Sequence, residues 1–190
     1  MRITGGNAKG ITLKTPRGRQ TRPASDAMRE SLFSSLGDRV VGCRVADLFA
    51  GTGSYGLEAF SRGASSGRFV EMNGGCVRCI EENIARVAKS MDSWSGSFSS
   101  VRADVFKWKR FEPGEFDIVF ADPPYGDIPA IEASLFELAE QLLGEDGLLV
   151  LEKPSDINLT PTGWQLIKQL GKKRGRGPSL DLWKKHQSVS

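Results

Sequence analysis

The stretch Phe116-Asp117-Ile118-Val119-Phe120-Ala121-Asp122-Pro123-Pro124-Tyr125 constrains this chain more than any other. Its first six residues are a short run rich in strand formers, the pattern of a buried parallel strand. Two prolines then end the strand, because each lacks the backbone N–H that a ladder needs. An acid, two stiff residues and an aromatic therefore stand at the carboxyl end of a strand. In open α/β sheets that edge is where ligands bind.

Amine methylation is the chemistry that these residues suit. An exocyclic amine on a base is a poor nucleophile, because its lone pair is delocalised into the ring. Asp122 and the carbonyl of Pro123 can accept its two N–H bonds, aim the lone pair at a methyl donor and support the positive charge that develops. Proline keeps its acceptor while losing its donor. Tyr125 can stack on the flat ring, as aromatics do on extruded bases. The plainer reading is a proline turn with Tyr125 as packing. At roughly 5% usage per residue type, a given tetrapeptide arises by chance in about one chain in a thousand of this length, which favours the functional reading.

A second motif lies upstream. Residues 44–50 (RVADLFA) read as a strand, followed at once by Gly51-Thr52-Gly53-Ser54-Tyr55-Gly56 and a helix that Gly63 closes. Such glycines let the backbone turn tightly and approach a ligand lying on the helix N-terminus. With Glu71 about 20 residues on, the spacing also fits a dinucleotide fingerprint, so a nicotinamide-dependent oxidoreductase is the competing reading. Asp47 weighs against it, since a pyrophosphate would suffer its charge while a cationic sulfonium carrying an amino group would welcome it. A helix cap is the plainer role for Asp47.

The chain has 190 residues and a formal net charge of +3. The charge is unevenly spread: residues 1–30 carry +5, residues 31–167 carry −8, and residues 168–190 carry +6. Two basic ends around an acidic middle are an electrostatic footprint for nucleic acid, with solvated tails as the alternative. No apolar run approaches the roughly 20 residues of a membrane span. Residues 1–6 show no apolar signal-peptide core, which predicts a cytoplasmic protein. Cys76 and Cys79 look like half a zinc site, but only Cys43 and His186 remain to complete four ligands. Reduced thiols and no metal are expected.

The rest of the chain alternates strand and helix. Residues 2–14 read as a β-hairpin, followed by a basic proline-bounded loop over 16–23 and a helix capped by Ser25 or Asp26 and ended by Gly37. A strand over 67–71, a helix over 75–90, and a strand over 98–102 ending in Asp104 come next. Asp104 can hold an adenine edge or simply form a turn. A helix is expected over 130–142, a turn over 144–147, and strands over 148–152, 164–170 and 179–183. The short glycine-basic join at 171–177 makes one late strand antiparallel and offers a phosphate grip. The division expected is a basic hairpin and loop over 1–24 and a main domain over 25–190.

The order Asp47-Leu-Phe-Ala-Gly-Thr-Gly53, Glu71, Asp104, Asp122-Pro-Pro-Tyr125 resembles class I, S-adenosylmethionine-dependent methyltransferases of exocyclic amines. Thr21-Arg22-Pro23, residues 29–33 (RESLF) and residues 47–64 (DLFAGTGSYGLEAFSRGA) are similar to the RsmD family, which methylates N2 of a guanine in 16S rRNA. The resemblance implies a Rossmann-like α/β fold: a seven-stranded, mostly parallel sheet, last strand antiparallel, with helices on both faces and a small N-terminal hairpin. It implies that Asp47, Phe49, Gly51 and Gly53 surround the methionine part of S-adenosylmethionine, Glu71 the ribose and Asp104 the adenine, with Asp122 between cofactor and amine. Asp122, Pro123 and Tyr125 would handle the base. Arg2, Lys9, Arg19, Arg22, Arg29, Lys172, Lys173, Arg174 and Arg176 would grip the rRNA of the small ribosomal subunit, the enzyme acting as a monomer. Ala8, Ala24, Asn73 and Arg176-Gly177-Pro178 depart from the family pattern.

Other readings share parts of this core. A DNA adenine methyltransferase needs a target-recognition insertion that 190 residues do not accommodate. A glutamine-directed enzyme usually has Asn at position 122. A non-catalytic RNA-binding relic has no use for intact Asp47, Gly53 and Asp122.

Overall fold

The computed structural model describes residues 1–16, 24–91, 96–171 and 177–186. Seven strands form one sheet: β1 (Arg44–Leu48), β2 (Ser66–Glu71), β3 (Ser97–Arg102), β4 (Phe116–Ala121), β5 (Leu143–Pro154), β6 (Trp164–Gly171) and β7 (Pro178–Lys185). Their order is β3-β2-β1-β4-β5-β7-β6. The first five are parallel, and β7 inserts antiparallel between β5 and β6. The helices are α1 (Ala24–Leu36), α2 (Ser54–Ser61), α3 (Gly74–Lys89) and α4 (Ile128–Leu142). The architecture is the one implied by the resemblance. No helix among the described residues is long and apolar enough to cross a membrane.

Strand alternation sorts the core into two faces. Ala46, Leu48, Val119, Ala121, Leu149 and Leu151 pack with α4. The intervening Val45, Ile118, Phe120, Leu148 and Val150 pack with α1 and α2. Because both faces are covered, these strands read as continuous apolar runs.

Three expectations are corrected. The 2–14 segment makes a single antiparallel bridge, Arg2 with Thr12, rather than a hairpin of two strands. Ile3, Gly10 and Leu13 donate across the segment to Ile11, Ile3 and Met1, while the donors at its tip go to α2: Thr4 and Gly5 to Glu58, Asn7 to the Ser61 carbonyl, and Ala8 to Ser61 Oγ. Helix α1 begins at Ala24, so Asp26 lies inside its first turn and pairs with Arg29 at 2.8 Å instead of capping. The turn at 144–147 is absorbed into β5, where a register shift takes it up between the pairs Phe116–Leu143 and Ile118–Leu148.

Candidate active site

Five parallel strands end on one edge, and their carboxyl ends line a cavity of about 990 Å³. Between β1 and α2 the backbone makes a turn with three left-handed residues, Phe49 (φ 55°), Gly51 (φ 57°) and Gly53 (φ 79°). Glycine adopts such angles freely, whereas Phe49 is held there at a cost of roughly 1–3 kcal/mol, the kind of strain found at ligand sites. Gly53 donates to the Ala50 carbonyl at 2.7 Å and Ala50 to the Val70 carbonyl at 3.1 Å, which fixes the turn against β2. The Phe49 ring meets Phe106 edge-on.

Glu71 ends β2 and holds the same turn. Its Oε2 accepts from Gly51 N at 2.8 Å and its Oε1 from Asn73 N at 2.7 Å. Asn73 in turn caps α3, accepting from Gly75 N and Cys76 N. Asp104 follows β3 and accepts from Phe106 N at 3.0 Å. Phe49, Gly51, Glu71 and Asp104 all line the cavity, as do Asp122, Pro123 and Tyr125.

Asp47 stands behind the wall, 2% exposed, where its Oδ2 accepts from Gly56 N at 2.9 Å. That is the helix-end role, and Gly53 likewise lies beneath the surface against Phe69 and Leu57. Burial pushes the Asp47 carboxyl well above its usual range, against the pull of the Gly56 bond, and the neighbouring Asp122 and Glu71 push it further. Register explains the crowding. Asp47 pairs with Phe120 on β4, and Phe120 with Val150 on β5. With period 2, Asp47, Asp122 and Glu152 therefore share the α1/α2 face. Acids outnumber the cations of the wall, Arg29 and Arg102, so a positively charged ligand relieves repulsion that the bare site contains.

Of the basic residues expected to meet RNA, Arg2 and Lys9 are exposed. Arg29 is 1% exposed and engaged by Asp26, Glu58 and the Arg2 carbonyl, so its charge faces inward, on the cavity wall. Arg19, Arg22, Lys172, Lys173, Arg174 and Arg176 lie outside the described residues.

The sequence reading missed three residues. Glu152, near the end of β5, accepts from the hydroxyls of Tyr125 (2.8 Å) and Tyr55. Its signal was an acid closing the apolar run LLVLE. Tyr55 sits at a variable position of the glycine motif; burial first, and then Glu152 and Asp122, push its hydroxyl well up, so it stays a neutral donor. Asn83 on α3 is wholly buried and joins Lys14 of the N-terminal segment to the Thr52 carbonyl of the glycine turn. A buried polar side chain in a helix reads from sequence only as a gap in the apolar stripe.

Residues 1–177 match the family model described as Conserved hypothetical protein 95. The chain belongs to that family, the RsmD family. It is 34% identical over 168 residues to YlbH of Bacillus subtilis (strain 168), with 88% of this chain and 90% of the relative covered. The Ribosomal RNA small subunit methyltransferase D of Escherichia coli (strain K12) is 28% identical over 177 residues, with coverages of 89% and 83%. Among solved structures, yhhF from Escherichia coli superposes with a TM-score of 0.79 at 26% identity, covering 97% of both chains. As a family member the chain has the class I methyltransferase fold, which removes the dehydrogenase reading.

Proposed function

We propose that this family member transfers a methyl group from S-adenosylmethionine to the N2 amine of one guanine in 16S rRNA. The chain is an rRNA methyltransferase with S-adenosylmethionine as cofactor. Transfer to an amine is carried by one observation, that Asp122-Pro123-Pro124-Tyr125 opens on the same cavity as the Phe49–Gly51 turn and Glu71, and the family resemblance supports guanine N2 as that amine. The residues suit the cofactor chemically. Glu71 and Asp104 offer carboxylates to the ribose and adenine, and the excess of acid suits a sulfonium and an ammonium.

When bound, the cofactor supplies an electrophilic methyl on sulfur. Asp122 and the Pro123 carbonyl accept the two N–H bonds of the amine and turn its lone pair towards that methyl. The cofactor would supply the methyl group there, and Asp122 and the Pro123 carbonyl would hold the amine nitrogen in line to accept it. Asp122, which is exposed, supports the charge on nitrogen and passes the surplus proton to water. Tyr125 stacks on the base. Arg2 and Lys9 meet phosphates, and the basic join after β6 adds to the grip. The enzyme acts as a monomer in the cytoplasm.

The test uses S-adenosylmethionine labelled on its methyl group. Unmodified small subunits, naked 16S rRNA, duplex DNA and release factor are offered, and the labelled product is identified after digestion. N2-methylguanosine from subunits or rRNA is expected. Label in adenine or glutamine would keep the Asp122 chemistry and overturn the guanine target.

A further inference from the structure

Glu152 has no part in the mechanism above, yet it occupies the wall beside Asp122. It lies two residues before the end of β5, Asp122 directly follows β4, and the preceding pair Ala121–Leu151 sets the two residues level. Alternation directs both to the α1/α2 face, and the contact of Glu152 with Tyr55 of α2 agrees. Neighbouring strands lie about 4.8 Å apart, so two carboxylates stand side by side within the span of one base edge.

Each oxygen of Glu152 accepts one phenol, Oε1 from Tyr125 and Oε2 from Tyr55. A carboxylate offers about four acceptor sites, so two remain. Among the described residues Glu152 forms no ion pair. The two unused acceptor sites suit a donor from a ligand. The Watson–Crick edge of guanine carries two adjacent donors, the N2 amine and N1–H. Adenine carries a lone pair at N1.

We propose that Glu152 is a specificity-determining residue whose carboxylate accepts N1–H of the target guanine while Asp122 holds the amine. The assignment rests on the guanine-N2 reading. Tyr55 and Tyr125 fix the carboxylate in place, and the Glu152 bond keeps the Tyr125 ring on the base. A base with a lone pair at N1 meets the negative charge and is rejected, since a site built to receive a donor discriminates strongly against an analogue that lacks it.

The test employs 2-aminopurine, which keeps the 2-amine but presents a lone pair at N1. Small subunits are reconstituted with 16S rRNA carrying guanine or 2-aminopurine at the nucleotide that the wild-type enzyme methylates. Wild type is expected to favour guanine in kcat/KM by about 10- to 100-fold, the range for a hydrogen bond to a charged group. In Glu152→Gln the amide can donate to N1, so the preference should shrink below about threefold or reverse, with cofactor affinity within about threefold of wild type. Equal losses on both bases in E152Q, with the preference kept, would mean a merely structural role and overturn the proposal. So would a wild type indifferent to the analogue, which decides the matter even if E152Q does not fold. Failure of the parent reading shows separately, as no N2-methylguanosine from wild type on unmodified subunits, and takes the Glu152 role with it.

Discussion

Arg29 on α1 and Glu58 on α2 form an ion pair of 3.4 Å with side chains only 1% and 0% exposed. Glu58 also accepts from Thr4 N, Thr4 Oγ1, Gly5 N and Arg62 Nε, so one carboxylate fastens the N-terminal segment to the sheet layer. That arrangement brings Met1 and Thr15 onto the cavity wall.

Glu58→Gln should unfold more easily by about 1–3 kcal/mol, because Arg29 keeps Asp26 and the Arg2 carbonyl but loses its charged partner on α2. Urea unfolding monitors the midpoint, and hydrogen exchange at Thr4 and Gly5 should quicken. An unmoved midpoint would show that the pair contributes nothing.

Asp47 predicts an unusual pH dependence. Its folded carboxyl is raised above the ordinary 3.8, so the folded state keeps a proton that the unfolded state has lost. Stability therefore falls as pH rises from the unfolded value through the raised folded one. Asp47→Asn keeps an acceptor for Gly56 N and removes this loss, so the apo-protein should melt higher at neutral pH with a flatter pH curve. Its cofactor affinity should drop, since a bound cation favours the ionised form of Asp47, which Asn cannot adopt. Superimposable wild-type and D47N melting curves from acid to neutral pH would refute the account.

Gly56→Ala probes close packing. A Cβ there would lie 2.4 Å from Phe69 Cε1 and 3.2 Å from Asp47 Oδ2. Helix α2 must lift from β2, at a cost of about 1–3 kcal/mol. The turn that α2 anchors should shift with it, and isothermal titration should find cofactor binding weakened about tenfold or more. Gly126→Ala is the control, with nothing within 4 Å of its Cβ, and should stay within about 0.5 kcal/mol.

Asp122→Ala should lower kcat by about 10²- to 10³-fold or more while cofactor affinity stays within a few-fold. Single-turnover methyl transfer with equilibrium cofactor titration separates the two effects. Retained turnover would remove Asp122 from the mechanism.

Much of the site was legible because its residues sit at strand ends. Strands that stop at Phe49–Gly53, Glu71, Asp104 and Asp122 mark the carboxyl edge of a parallel sheet, and topology gathers such ends into one crevice. Asp47 was legible in position but not in setting: that its oxygen turns inward to Gly56 depends on how closely α2 approaches β2. Arg29 looked like one of several basic residues of an RNA face. Its burial was decided by Glu58, 29 residues away in the chain.

The N-terminal segment shows the same division. Its weak alternation points to an antiparallel pairing, which the fold keeps as one bridge and three cross-segment hydrogen bonds, while residues 4–8 at the tip bond to α2. Local sequence determined where strands start and stop, where glycines turn the chain, and which motif handles an amine. Those properties depend on backbone sterics and on period, which act over a few residues. Tertiary structure alone decided that Glu152 joins Tyr55 to Tyr125, 97 and 27 residues away, and that acids from separate strands share one face. Such pairings depend on register and on burial, and only the folded sheet sets these.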